Sequence, residues 1–147
     1  MKGKRISGSE EETYELAEEF LRDIDTNPPS GATVIALSGE LGSGKTVFVR
    51  GIARALGIED TVQSPTFVLE RMYEIENHPQ FKKLIHIDTY RMDHSNELGS
   101  LGWNEIIADA KNLICVEWAE RVEDLLPPET RKVHCIFIDE NKRDIQW

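Results

Sequence analysis

The run Gly39, Glu40, Leu41, Gly42, Ser43, Gly44, Lys45 and Thr46 is a complete phosphate-binding loop, and its flanks are those such a loop requires. Ala32–Ser38 before it is short and apolar, as a buried strand is. After it, Val49, Ile52, Ala53 and Leu56 recur at the spacing of a helix packed on a sheet. Strand, glycine loop and helix together restrict the chain to an α/β fold in which successive backbone N–H groups turn inward on a phosphate. Lys45 is then expected at the β- and γ-phosphates and the Thr46 hydroxyl at Mg²⁺. The chain is expected to bind a nucleoside triphosphate.

A length of 147 residues suits one domain with a proper core and leaves little room for a separate substrate domain. The N-terminus carries no apolar stretch of signal-peptide length, and no segment is apolar enough to span a bilayer. Cys115 and Cys135 each lie inside an apolar run and read as buried core residues, consistent with a cytoplasmic protein. A formal charge of −10 disfavours autonomous nucleic-acid binding, which needs a basic patch to neutralise phosphates. The acidic runs Glu10–Glu12, Glu18-Glu19 and Glu117–Asp124 read mainly as solvated helix faces, some of them available to a basic partner.

Around the loop the chain alternates between elements. Ser9 and Glu12 form a capping box for a helix whose apolar residues are Leu16, Ala17, Phe20, Leu21 and Ile24, ended by Asn27–Gly31. Two extended runs, Phe67–Ile75 and Phe81–Asp88, flank Glu76–Gln80 and predict a β-hairpin. A helical stretch over Ser95–Ala110, interrupted at Gly99 and Gly102, precedes a buried strand at Leu113–Glu117. A helix at Ala119–Leu126 and a last buried strand at Val133–Asp139 complete the chain. The pattern predicts a three-layer P-loop domain with a mostly parallel sheet, the hairpin adding an antiparallel strand.

Ligands in such sheets gather at the carboxyl ends of the strands. Asp88 ends Leu84–Asp88 and Glu117 ends Leu113–Glu117, each an apolar run closed by an acid. Such an acid holds Mg²⁺ or orients the attacking water, so Asp88 and Glu117 join Lys45 as candidate catalytic residues, and Thr46 as candidate metal ligands. The alternative for each is a strand-end carboxylate that caps a helix or forms an ion pair. Thr66, stiffened by Pro65, occupies the place where nucleotide switches sense Mg²⁺ and the γ-phosphate, or simply starts a strand. His86 shares a strand face with Asp88 and is expected as a packed or hydrogen-bonded structural histidine. Trp118 is expected to point to the side opposite Glu117.

Taken in order, Gly39–Thr46, Ser64-Pro65-Thr66-Phe67, His86-Ile-Asp88-Thr-Tyr90-Arg91 and Glu117-Trp118 resemble the TsaE (YjeE) family, the small bacterial ATPase of tRNA threonylcarbamoyladenosine synthesis. The resemblance runs from the first helix to the last strand. It implies ATP and Mg²⁺ as cofactors, with Thr46, Asp88 and Glu117 serving the metal and hydrolysis and Thr66 in a switch-like loop. It implies a contact role for Trp118, and places Glu10 and Arg143 near the nucleotide; Val47, directly after the loop, is expected to join the nucleotide-binding residues. It also implies a partner heterodimer of the TsaB–TsaD type, which carries the transferase activity on tRNA adenosine 37 and is reset by the ATP cycle, so that tRNA is met only through the partner.

Three other readings compete. Asn141-Lys142-Arg143-Asp144 matches a guanine-recognition motif of small GTPases, but Asp88-Thr-Tyr-Arg91 lacks the glycine of a GTPase switch, and no strand and loop follow to complete a guanine pocket. A P-loop metabolite kinase would need an arginine-rich lid; Arg50, Arg54, Arg71 and Arg91 are candidates in number without forming such a segment. A nucleotide-gated binding module, with slow hydrolysis as its timer, is compatible with the favoured ATPase.

Overall fold

The computed structural model describes residues 4–24, 31–60, 62–63 and 69–147. Its strands are β1 (Lys4–Ser7), β2 (Thr33–Ser38), β3 (Glu70–Glu74), β4 (Lys83–Asp88), β5 (Asn112–Glu117), β6 (Arg131–Phe137) and β7 (Arg143–Gln146). The α-helices are α1 (Glu10–Asp23), α2 (Lys45–Ala55) and α3 (Trp103–Ala108), with 3₁₀ turns at Ser95–Leu101 and Ala119–Leu125.

The most continuously apolar strands sit in the middle of the sheet. Its order is β1-β7-β6-β2-β5-β4-β3, and β6, β2, β5 and β4 run parallel. A parallel strand is covered on both faces, which is why β2 and β5 read as unbroken apolar runs. One face meets α1 and α2 through Ile35, Leu37, Phe48, Ile52, Leu84, Leu113 and Val133. The other meets α3 and the 3₁₀ turns through Val34, Ala36, Ile85, Ile87, Ile114, Val116 and Trp103. The result is a three-layer α/β domain with a mixed sheet, mostly parallel at its centre.

Helix α1 starts as its sequence predicts, with a variation. Ser9 Oγ accepts the Glu12 N–H at 3.1 Å, whereas the Glu12 carboxylate reaches back to the Gly8 N–H, one residue before the cap. Helices α1 and α2 pack closely at Gly51: a Cβ there would lie 2.7 Å from Ala17 Cβ and 2.8 Å from Tyr14 Cα. Phe20 and Phe48 meet edge to face beside this contact, with ring centroids 5.6 Å apart. Each is fully buried, a burial that contributes on the order of 1.5–3 kcal/mol per ring.

The Glu76–Gln80 loop forms the expected hairpin, β3 pairing antiparallel with β4. Within it the His78 Nδ1 accepts the N–H groups of Gln80 and Phe81 at 3.1 and 3.0 Å. The stretch from Ser95 divides at Gly102, whose φ of 75° ends the 3₁₀ turn and starts α3. Ala119–Leu125 is likewise 3₁₀ in character and kinked at Val122.

Two strands depart from expectation. The strand at Val133–Asp139 is not the last: β6 stops at Phe137, and after a turn β7 returns antiparallel to it. At the sheet's edge, β1 then pairs antiparallel with β7. Both are four-residue strands at that side of the sheet, β1 the edge itself, and are too short and too polar for a period-2 pattern; β1 finds its ladder with a partner distant in sequence. The Asn27–Ser30 turn and the Ser64–Phe67 segment, with Thr66, lie outside the described residues. Among the described residues no helix is long and apolar enough to cross a membrane.

Candidate nucleotide site

The phosphate loop leaves β2 at the centre of the sheet. Gly39 has a φ of 139°, and a Cβ on it would fall 2.2 Å from the Cys135 carbonyl oxygen of β6, so only glycine fits. Gly44, with φ of 103°, starts α2 without a side-chain cap, and the first turn of α2 holds no acid. Its N–H groups and dipole therefore face an anion uncontested.

Lys45 folds back over its own loop. Nζ donates to the carbonyls of Gly39 and Glu40 at 2.6 and 2.9 Å and lies 4.1 Å from the centre of the Trp118 ring. Burial pushes its pKa down, and the Glu117 carboxylate opposes that shift.

The acids close the other side. Asp88 and Glu117 end neighbouring parallel strands and are register partners. Glu117 is buried and accepts the Thr46 hydroxyl at 3.0 and 2.8 Å on its two oxygens. The His86 Nε2 lies 2.5 Å from Glu117 Oε2. Asp88 Oδ1 accepts the Tyr90 N–H at 2.8 Å. A threonine hydroxyl and two carboxylates are hard oxygen donors of the kind Mg²⁺ takes. Among the described residues no group of three or more His, Cys, Asp or Glu side chains is gathered to hold a metal. A nucleotide site needs none, because phosphates and waters complete the coordination.

Trp118 differs from its sequence-based placement. It lines the same cleft as Glu117 and packs at a tilt against Tyr90, ring centroids 4.8 Å apart. Strand alternation stops at Glu117, because Trp118 adopts a left-handed conformation with φ of 58°. Thr89 holds this bend, its hydroxyl donating to the carbonyls of Glu117 and Trp118 at 3.0 and 2.7 Å.

These groups line one cleft of about 690 Å³, a size suited to a mononucleotide. Leu41, Gly42, Ser43, Gly44, Lys45, Thr46, Val47, Asp88, Glu117, Glu10 and Arg143 all face it. Gly39 and Glu40 do not; they face a second hollow bounded by His134 and Phe137, behind the loop. Arg143 braces the loop, Nε donating to the Gly42 carbonyl at 3.1 Å. Ser7, Gly8, Ser9 and Thr13 add a polar wall at the far end, where the Ser7 and Thr13 hydroxyls are 2.7 Å apart. Sequence reasoning assigns Ser9 only a helix cap, and β1, which carries Ser7, has no sequence signal.

Asn141-Lys-Arg-Asp144 spans the end of a polar turn and the start of β7. The Asn141 and Lys142 N–H groups both donate to Asp139 Oδ1, at 2.8 and 2.9 Å. Asp144 is outside the cleft lining, its Oδ2 3.6 Å from Lys4 Nζ, so the aspartate of a guanine reader is absent from the site. Of the four arginines available to a kinase lid, Arg91 alone lines the cleft; Arg50 donates to the Val62 carbonyl and Arg54 to Glu11.

Comparison with known proteins identifies the family. Residues 7–145 match the family TsaE, the threonylcarbamoyl adenosine biosynthesis protein. The tRNA threonylcarbamoyladenosine biosynthesis protein TsaE of Aquifex aeolicus is 38% identical over 143 residues, 96% of this chain and 92% of that protein. Its Rickettsia felis counterpart is 36% identical, over 94% of this chain and 75% of that protein. The crystal structure of Bacillus subtilis YdiB superimposes with a TM-score of 0.73 at 29% identity, covering 97% of this chain and 82% of the other.

Proposed function

Because this chain belongs to the TsaE family, we propose that it binds ATP with Mg²⁺, hydrolyses it, and through that cycle supports tRNA threonylcarbamoyladenosine synthesis. The observation that carries the reading is the Thr46–Glu117 hydrogen-bonded pair at the mouth of a complete phosphate loop. It joins the loop's metal-binding position to a buried acid within one cleft.

The chain's own groups divide the work. The N–H groups at the start of α2 and the Lys45 ammonium hold the phosphates, once the ammonium has exchanged its loop carbonyls for phosphate oxygens. Thr46, Glu117 and Asp88 are the groups that would hold Mg²⁺, which when bound neutralises charge developing on the phosphate oxygens. Glu117 orients the attacking water. Glu10, Val47 and Arg143, with Ser7 and Thr13, bound the end of the cleft left to the nucleoside.

The acidic composition supports a reading in which a partner holds the tRNA. A chain of net charge −10 lacks the basic field that tRNA binding draws on, so the proposed partner is a threonylcarbamoyltransferase heterodimer of the TsaB–TsaD type in the cytoplasm. Hydrolysis of ATP by the purified chain, alone and with that heterodimer, with GTP in parallel, tests the reading. The expected outcome is ATP turnover that is slow alone and rises with the partner. Fast GTP turnover indifferent to the partner would overturn it.

A further inference from the structure

We infer that His86 is a positioning residue for hydrolysis, its Nε2–H fixing the Glu117 carboxylate relative to Thr46; this rests on the proposed role of Glu117. The register makes the contact possible. Glu117 pairs directly with Asp88, and His86 pairs with Cys115, so Glu117 reaches His86 along the diagonal between neighbouring strands. The His86 side chain is fully buried, and that of Glu117 retains 4% exposure. Two buried polar groups facing each other satisfy one another by a hydrogen bond, which burial would otherwise leave unmade.

The hydrogen can be assigned from chemistry. Glu117 accepts the Thr46 hydroxyl on both oxygens, so the carboxylate acts as acceptor and the shared hydrogen is assigned to His86 Nε2. Among the described residues His86 Nδ1 is buried without a partner, which suits a bare lone pair better than a second N–H. Glu117 Oε2 therefore takes two donors, His86 from β4 and Thr46 from α2, at 2.5 and 2.8 Å. The single Thr46 hydroxyl is shared with Oε1, at 3.0 Å, and Glu117 lines the cleft. A carboxylate held by donors from both a strand and a helix has its orientation fixed, the preorganisation that water activation draws on.

The prediction separates Nε2 from Nδ1. Glutamine places an amide N–H near the Nε2 position; asparagine reaches only the Nδ1 position. His86→Leu and His86→Asn should lower kcat about 10- to 100-fold while the ATP Kd, read by calorimetry, stays within about 3-fold; His86→Gln should recover most of the loss. In a Glu117→Ala background, His86→Leu should leave residual single-turnover hydrolysis unchanged, because the group it positions is gone. Nitrogen-15 NMR of the wild-type, nucleotide-free protein should show His86 as the Nε2–H tautomer, with a downfield proton that moves in Glu117→Gln. This readout needs neither catalysis nor a folded His86 variant. Wild-type turnover in His86→Leu, a further loss in the Glu117→Ala background, or an Nδ1–H tautomer would each overturn the inference while leaving the ATPase standing. A wild-type chain that hydrolyses no ATP, with or without partner, would overturn the ATPase reading and this inference with it.

Discussion

At Gly39 one methyl group decides whether the phosphate loop can close. With φ of 139° and the Cys135 carbonyl 2.2 Å from where a Cβ would stand, Gly39→Ala must displace either the loop or β6. The expected loss is nucleotide binding together with about 1–3 kcal/mol of stability, read by calorimetry and urea unfolding. Lys45→Ala and Glu117→Gln should separate binding from chemistry. The first should abolish ATP binding; the second should keep the ATP Kd within about 3-fold and lose turnover by about 100-fold or more. These residues are legible in sequence because loop glycines, a lysine and strand-end acids are fixed by the chemistry of phosphate and metal. Trp118 was not, since a left-handed non-glycine residue leaves no pattern, and only the Thr89 contacts reveal what maintains it. The engagement of His86 with Glu117 was likewise hidden, because it depends on the offset between two strands.

Helices α1 and α2 depend on a close approach rather than on area alone. Gly51→Val adds branched atoms where even a single Cβ meets Ala17 and Tyr14 below 3 Å, and is expected to destabilise the protein by about 1–3 kcal/mol in thermal unfolding. The hairpin carries a titratable latch. Burial, and then the Lys82 ammonium, hold His78 below the ordinary imidazole range, and its Nδ1 must be bare to accept two backbone N–H groups. A depressed folded-state pKa means the latch contributes fully above the unfolded imidazole value of about 6.5, and is lost as pH falls through the lower folded value. Between pH 7.5 and 5 the wild type should lose more thermal stability than His78→Asn, whose side-chain oxygen accepts at both pH values. Apolar stripes and runs made the long elements readable. The 3₁₀ turns and the four-residue strands β1 and β7 were not, because a few residues without a repeating period take their form from neighbours.

Across the whole molecule, protection should follow position in the sheet. Strands β2 and β5 are flanked by strands on both sides and covered on both faces; β1 and β3 are edges. Native-state hydrogen exchange should be slowest in β2 and β5 and fastest in β1 and β3, and added ATP should slow the N-terminal amides of α2. Equal rates in central and edge strands would contradict this order. The mostly parallel sheet was legible as a class from alternating elements, but its order was not. Neighbouring strands here are set by long-range pairing, which no local window contains.

That order also bears on how the chain is made. The strand that delivers the phosphate loop bonds to β5 and β6, both synthesised after it, and the first strand bonds only to β7, residues 143–146. On the ribosome, β2 therefore emerges as an unpaired apolar segment and finds its second neighbour only once residues 131–137 have cleared the exit tunnel. For most of translation the nascent chain carries the nucleotide motif without the sheet that shapes it. An ATP site shaped by this sheet is therefore completed late, after the strands on both sides of β2 have been made.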